Sequence, residues 1–335
     1  MQEDTPADKK SPGWRVAARI VAQIVALAAI VWVAYYFFDF EQVRLAFRSL
    51  SVTSIVVFVG IMMVVRVINS WRWLVIARRC LGIEEISLGF MTRVTLLAQF
   101  TNVWFPSFLG GEFVRIWKLG RTSEMAKEIP ISVMLDRVVG VASLAVLCLP
   151  FLLLFPHFIP DVNRALESPL LMWGGIGFVV LVGGAAIWKR NQFIQLFRRS
   201  WRFFEENNYM VEPMLISMLG YSVIVVAYWF LLESLEAGSM LDIAAVTLIP
   251  RFGRVFPVSA LGIGAVEGGT LVVGRYLGMG SQILVVIVAV HITSKYVASL
   301  LGALLEIGFE GRSSLRELVD QAEASAVAES SGNPD

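Results

Sequence analysis

The sequence predicts an all-α, multi-pass membrane protein with about six full spans and two oppositely oriented re-entrant helical hairpins. Three observations carry this. Of 335 residues, 57% are hydrophobic and only 16% charged, against roughly 25% charged in a soluble domain, and the mean hydropathy is +0.70. Apolar runs recur near the ~20 residues needed to cross a hydrocarbon core of about 30 Å. Two regions are instead broken by Pro and Gly while carrying charge, which a lipid-facing helix does not tolerate.

The full spans are predicted at residues 16–38, 51–71, 130–155, 169–188, 213–234 and 282–308. The first is too long for the apolar part of a cleavable signal and lacks a small-residue cleavage site, so it reads as a transmembrane helix. The broken regions are 89–121 and 241–277. Their apolar halves are short, as expected of re-entrant segments. Residues 1–13 and 311–335 read as disordered polar tails around a transmembrane domain at 14–310. Residues 189–212 interleave aromatic and basic side chains, a pattern for a helix lying on an anionic leaflet or for a charged loop.

Charge distribution sets the orientation. With both termini cytoplasmic, and each broken region entering and leaving on one face, the cytoplasmic pieces collect Lys9, Lys10, Arg15, Arg19, Arg72, Arg78, Arg79, Arg115, Lys118, Arg121 and the basic 189–202 loop. The outer pieces hold only Arg44, Arg48, Arg164 and Arg275. Making 89–109 a single crossing would put the 189–202 loop outside, so the hairpin is preferred. Counting each hairpin as two shallow passes gives the same orientation, and the choice between six and eight helices stays open.

The two broken regions resemble each other. The first has Phe105-Pro106, then Gly110, Gly111 and Glu112; the second has Phe256-Pro257, then Gly262, Gly264 and Glu267. Pro106 and Pro257 open the hydrogen-bond ladder, and the glycines permit a tight turn. Two such units of opposite orientation are the signature of transporters built from inverted repeats, whose half-helix ends face a cargo head group. Glycine and proline kinks in buried helices are the plainer alternative.

Basic residues predicted inside the membrane are Arg66, Arg93, Arg137, Arg251, Arg254 and Lys295, with Arg66 and Arg93 placed to snorkel. Glu112 and Arg115 are three apart and share a helix face. Asp136 and Arg137 are adjacent and diverge, leaving Arg137 to seek a carboxylate elsewhere, with Glu112 a candidate. His291 lies one turn before Lys295 and reads as a packing or hydrogen-bonding residue rather than a proton relay. Mutually neutralised ion pairs that fix the packing are one reading of these charges. A net-basic cavity suited to an anionic head group is the other, since the arginine fork binds phosphate bidentately. Two cysteines and two histidines, Cys80, Cys148, His157 and His291, offer no disulfide framework or metal-ligand spacing. No cofactor is expected.

The segments Arg66-Val-Ile-Asn-Ser-Trp-Arg-Trp73, Phe105-Pro-Ser-Phe-Leu-Gly-Gly-Glu-Phe-Val-Arg115, Asp136-Arg-Val-Val-Gly140 and Phe256-Pro-Val-Ser-Ala-Leu-Gly-Ile-Gly-Ala-Val-Glu267 resemble the lysylphosphatidylglycerol synthase transmembrane, or flippase-like, family over about residues 15–308. Glu112 stands where the family usually has Asp, Asp136 where it has Glu, and Lys295 at its usual basic position. The resemblance implies a lipid translocase of a prokaryotic cytoplasmic (inner) membrane, without the soluble aminoacyltransferase domain of the synthases. Its expected partners are anionic phospholipid or isoprenoid and glycolipid cargo and a lipid-synthesising enzyme, with no nucleic acid. Arg115, Arg137, Arg254 and Lys295 would contact the head group. Glu112, Asp136 and Glu267 would be their charge partners or proton sites. An accessory lipid-presenting subunit, or an intramembrane enzyme with Glu112 or Asp136 as base, are the alternatives; no nucleophile–base constellation supports the enzyme.

Overall fold

In the computed structural model the described residues are 44, 48, 50–82, 84–104, 110–121, 128–154, 210–235, 238–255, 259–260 and 263–311. The predicted spans 16–38 and 169–188, both tails, nearly all of 189–212, and Pro106, Pro257 and Gly262 lie outside them.

The described residues form eight α-helices in order: α1 Val52–Leu81, α2 Leu88–Trp104, α3 Gly110–Gly120, α4 Ile129–Leu154, α5 Val211–Leu232, α6 Met240–Leu248, α7 Ala265–Tyr276 and α8 Ser281–Glu310. A 3-10 segment, Ile249–Val255, continues α6. Ser259–Ala260 pairs antiparallel with Ile263–Gly264, a two-residue bridge that the sequence reading lacked. Among the described residues four helices, α1, α4, α5 and α8, are long and apolar enough to cross a membrane. They correspond to four of the predicted spans.

The hydrophobic pattern does not by itself end these helices; local chemistry does. Ser51 caps α1 by accepting the Ser54 N–H at 2.9 Å. Gly82, at φ 63°, closes it in the left-handed conformation, its N–H on the Arg78 carbonyl. Ser239 and Asp242 form a reciprocal cap on α6. The prediction that the α1 span stops at residue 71 is corrected here, for the helix runs on through Arg72 to Leu81. At ~1.5 Å per residue it is about 45 Å long, so its end extends past the hydrocarbon core unless it tilts.

Helix directions establish two inverted units, α1–α4 and α5–α8. The leading helices α1 and α5 pack antiparallel: Arg79 bonds Glu212, Arg72 reaches Ser217, and Phe58 meets Tyr228 edge-on at 4.9 Å. The hairpin arm α2 lies antiparallel along α8, with Arg93 on Glu310 and Trp104 donating to Ser299. Its counterpart α6 packs on α4 through an apolar cluster of Leu144, Cys148, Ala244, Ala245 and Leu248. Each unit's leading helix also packs on the other unit's last helix. These reciprocal pairings are what a two-fold axis in the membrane plane demands.

Small residues allow the close passes. A Cβ on Gly302 of α8 would overlap the Leu96 carbonyl of α2, the tight approach that membrane helices gain from glycine. Large apolar side chains at the surface, among them Val56, Val64, Leu215, Leu219, Leu304 and Phe309, form the apolar exterior expected of a lipid-embedded bundle.

Candidate functional site

A hydrogen bond ties the start of α3 to the end of α2. Asn102 accepts the Gly111 N–H at 2.9 Å, and a Cβ at position 111 would overlap that Asn102 amide. A side chain at 111 would push the Asn102 amide aside and break this hydrogen bond, which ties the first turn of α3, and with it Glu112, to α2.

From Glu112 a chain of charges runs into the bundle. Arg137 of α4 donates to Glu112. Arg115 lies 3.8 Å from Glu112 and donates to Asp136 at 3.3 Å. Asp136 also accepts from Arg72 Nε at 2.7 Å, and Arg72 Nη1 donates to Ser217 of α5 at 2.9 Å. Side-chain exposure falls along the chain from 50% at Arg137 to 3% at Asp136. Among the described residues, Arg72, Arg115 and Arg137 face two carboxylates, Glu112 and Asp136. The Arg115 guanidinium also sits 5.0 Å from the Trp73 ring centroid.

The second unit repeats the motif. Glu267, in the first turn of α7, accepts the Gly264 N–H at 2.8 Å and pairs with Lys295 of α8. His291 Nε2 lies 3.6 Å from the same Glu267 oxygen, and His291 Nδ1 shares a 2.8 Å hydrogen bond with the Tyr228 hydroxyl. Arg251 lies 5.8 Å over the Tyr228 ring. A narrow cleft lined by Tyr228, Thr247, Arg251, Glu267, Thr270 and His291 has room for about one water molecule. Glu112–Arg137 and Glu267–Lys295 are thus equivalent pairs: a first-turn glutamate of the hairpin's second arm, held by a base on the unit's last helix.

A third network has no such equivalent among the described residues. Lys118 of α3 pairs with Glu306 and Glu310 of α8. Arg93 of α2 donates to Glu310 at 2.7 Å and lies 3.9 Å from Glu306.

Several sequence expectations are met in position. Arg137 finds Glu112, Arg115 shares its face, and Lys295, His291 and Glu267 converge. Arg254 falls in the 3-10 segment, its side chain outside the described set. Three assignments change. Arg72 and Lys118, expected in cytoplasmic pieces, are buried between helices because carboxylates on α4 and α8 receive them. Arg93 does not simply snorkel; it is paired across to α8. Glu306 was missed, although a carboxylate inside a predicted span is itself a signal that a cation faces it. Ser217 and Tyr228 gave no signal, since hydroxyls are common in membrane helices.

The fold and its paired charges define a multi-pass membrane protein built as an inverted repeat. The family model for the lysylphosphatidylglycerol synthase TM region matches residues 20–302, and the chain belongs to that family. Membership places it among membrane proteins of lipid-related function. No curated protein and no solved structure was found to match it.

Proposed function

We propose that this protein moves an anionic lipid from one leaflet to the other, its head group following the charged seam while the acyl chains stay in lipid. The observation that carries the reading is the graded, arginine-rich chain from half-exposed Arg137 through Glu112 to buried Asp136 and Arg72, echoed in the inverted unit. An arginine pair that opens offers a phosphate the same planar fork it offers a carboxylate. Arg115, Arg137 and Lys295 are the anion contacts in this reading, with Arg254 a fourth; Glu112 and Glu267 hold them until cargo arrives. Asp136, one candidate base for an enzymatic alternative, already accepts from two arginines, which favours charge pairing over proton abstraction. The setting is a prokaryotic cytoplasmic membrane with both termini inside, as the basic residues suggest, and an enzyme making the lipid is the natural supplier.

Purified protein in liposomes with fluorescent anionic lipid is expected to exchange label between leaflets. Glu112→Gln and Arg137→Ala are expected to lower the rate at least about tenfold, the effect of roughly 1.4 kcal/mol on the transfer barrier, while the protein elutes unchanged from a sizing column. Wild-type rates in both variants would overturn the site assignment. Covalently altered lipid in the mass spectrum would favour an enzyme instead.

Sidedness has its own check. In a background lacking Cys80 and Cys148, cysteines placed by Gly110→Cys and Gly262→Cys should react with impermeant maleimides from opposite faces of the membrane. Labelling of both from one face would contradict the two-hairpin topology.

A further inference from the structure

The two units are equivalent in their glutamate–base pair but not in what surrounds it. In the first, Glu112 meets Arg115 and Arg137, both permanently charged. In the second, one oxygen of Glu267 faces both Lys295 and His291, and histidine alone among side chains ordinarily changes charge between pH 5 and 8. We infer that the cleft of the second unit is a proton-binding site centred on His291, and that its proton is taken up together with the anionic head group. The inference rests on the lipid-translocation reading and adds its coupling ion.

The geometry specifies the step. Either neutral tautomer of His291 leaves one ring nitrogen with a lone pair. A proton from water bonds there, so both nitrogens become donors, one to the Tyr228 oxygen and one to Glu267 Oε1. The imidazolium then competes with Lys295 for that oxygen. Lys295 keeps its charge, and the weaker hold of Glu267 on it lets an external anion share its ammonium. It is also the member that reaches the surface, with its side chain 14% exposed against 4% for Glu267 and for His291. One proton and one monoanionic head group therefore enter together without net charge.

The surroundings favour a proton over a larger or metallic ligand. The cleft's room for about one water is far too small for a lipid head group. Arg251 beside it and Lys295 across Glu267 would repel a metal cation. Around His291, α7 supplies Glu267, α8 supplies Lys295, α5 supplies Tyr228 and the 3-10 segment supplies Arg251. On α1, Phe58 and Met62 join the core around Tyr228, with Arg66 one turn beyond Met62; α2 meets α8 further along, through Arg93 at Glu306 and Glu310.

Linkage makes this measurable, because a proton that strengthens anion binding must itself be held more tightly when the anion is bound. The chain has two histidines, so a His157→Gln background leaves one imidazole to follow by 15N NMR. In phosphatidylcholine nanodiscs the His291 titration midpoint is expected at one pH. Adding phosphatidylglycerol should move it upward by at least about half a pH unit, a threefold tighter hold on the proton. Lys295→Met should erase that movement. A midpoint indifferent to phosphatidylglycerol, or a Lys295→Met protein that still responds, overturns the inference, and the parent protein's titration decides it without any variant at Lys295.

Liposomes separate this idea from the reading beneath it. Acid on one face should speed anionic-lipid transfer away from that face, and His291→Gln should remove that acceleration. Leaflet exchange blind to the gradient defeats proton coupling and leaves translocation standing. A lipid-linked His291 titration with no exchange at all defeats translocation and leaves the proton site standing.

Discussion

Asp136→Asn is expected to cost roughly 3–5 kcal/mol of stability, the usual penalty for removing one partner of a buried ion pair. Asp136 is 2% exposed and receives Arg72, itself 8% exposed, together with Arg115. Without the carboxylate charge, a guanidinium locked between α1, α4 and α5 loses its counterion. There is little space for Arg72 to turn elsewhere: a Cβ on Gly140 would already stand 3.2 Å from its Nη1. The thermal unfolding midpoint in detergent should fall well below the parent's. The double variant Arg72→Met with Asp136→Leu should recover most of the loss, since apolar replacements of similar volume are often tolerated where a broken pair is not. A double variant as unstable as Asp136→Asn would mean that the pair is not the source of the penalty.

Gly302→Leu should likewise disrupt the bundle, for a steric reason rather than an electrostatic one. The obstruction is the Leu96 carbonyl, a backbone atom that cannot rotate away. Overpacking a core by a few methylenes costs about 1–3 kcal/mol, and here α2 must leave α8, weakening the Arg93–Glu310 and Trp104–Ser299 contacts with it. Gly308, six residues along the same helix, has nothing within 4 Å of an added Cβ. Gly308→Leu should therefore stay within about 0.5 kcal/mol of the parent. Equal unfolding midpoints for the two leucine variants would refute the close packing of α2 on α8.

The same two helices illustrate how unevenly sequence reports structure. The apolar run of α8 and its approximate limits are plain from hydropathy, and the breaks around Gly110–Gly111 and Gly262–Gly264 mark the hairpins. Hydropathy cannot say that Glu306, near the end of that run, is opposite Lys118, because the two are joined only when α3 docks on α8. Arg72 failed for the same reason. Read along the chain it is the first arginine after an apolar stretch and marks a boundary; placed beside Asp136 it is an interior residue, and the helix continues.

Sequence by itself determined membrane residence, four of the spans now described and the two glycine-broken hairpins, and it named Glu112 as a candidate partner of Arg137. Those follow from periods and spacings within a few turns of chain, or from the simple demand that an intramembrane charge find its opposite. Only the tertiary structure decided that α1 and α5 pack antiparallel, that Arg72 and Lys118 are buried, and that His291, Lys295 and Tyr228 gather around Glu267. Each of these depends on which helix faces come within about 4 Å of each other, a property of packing between distant segments that no local pattern encodes.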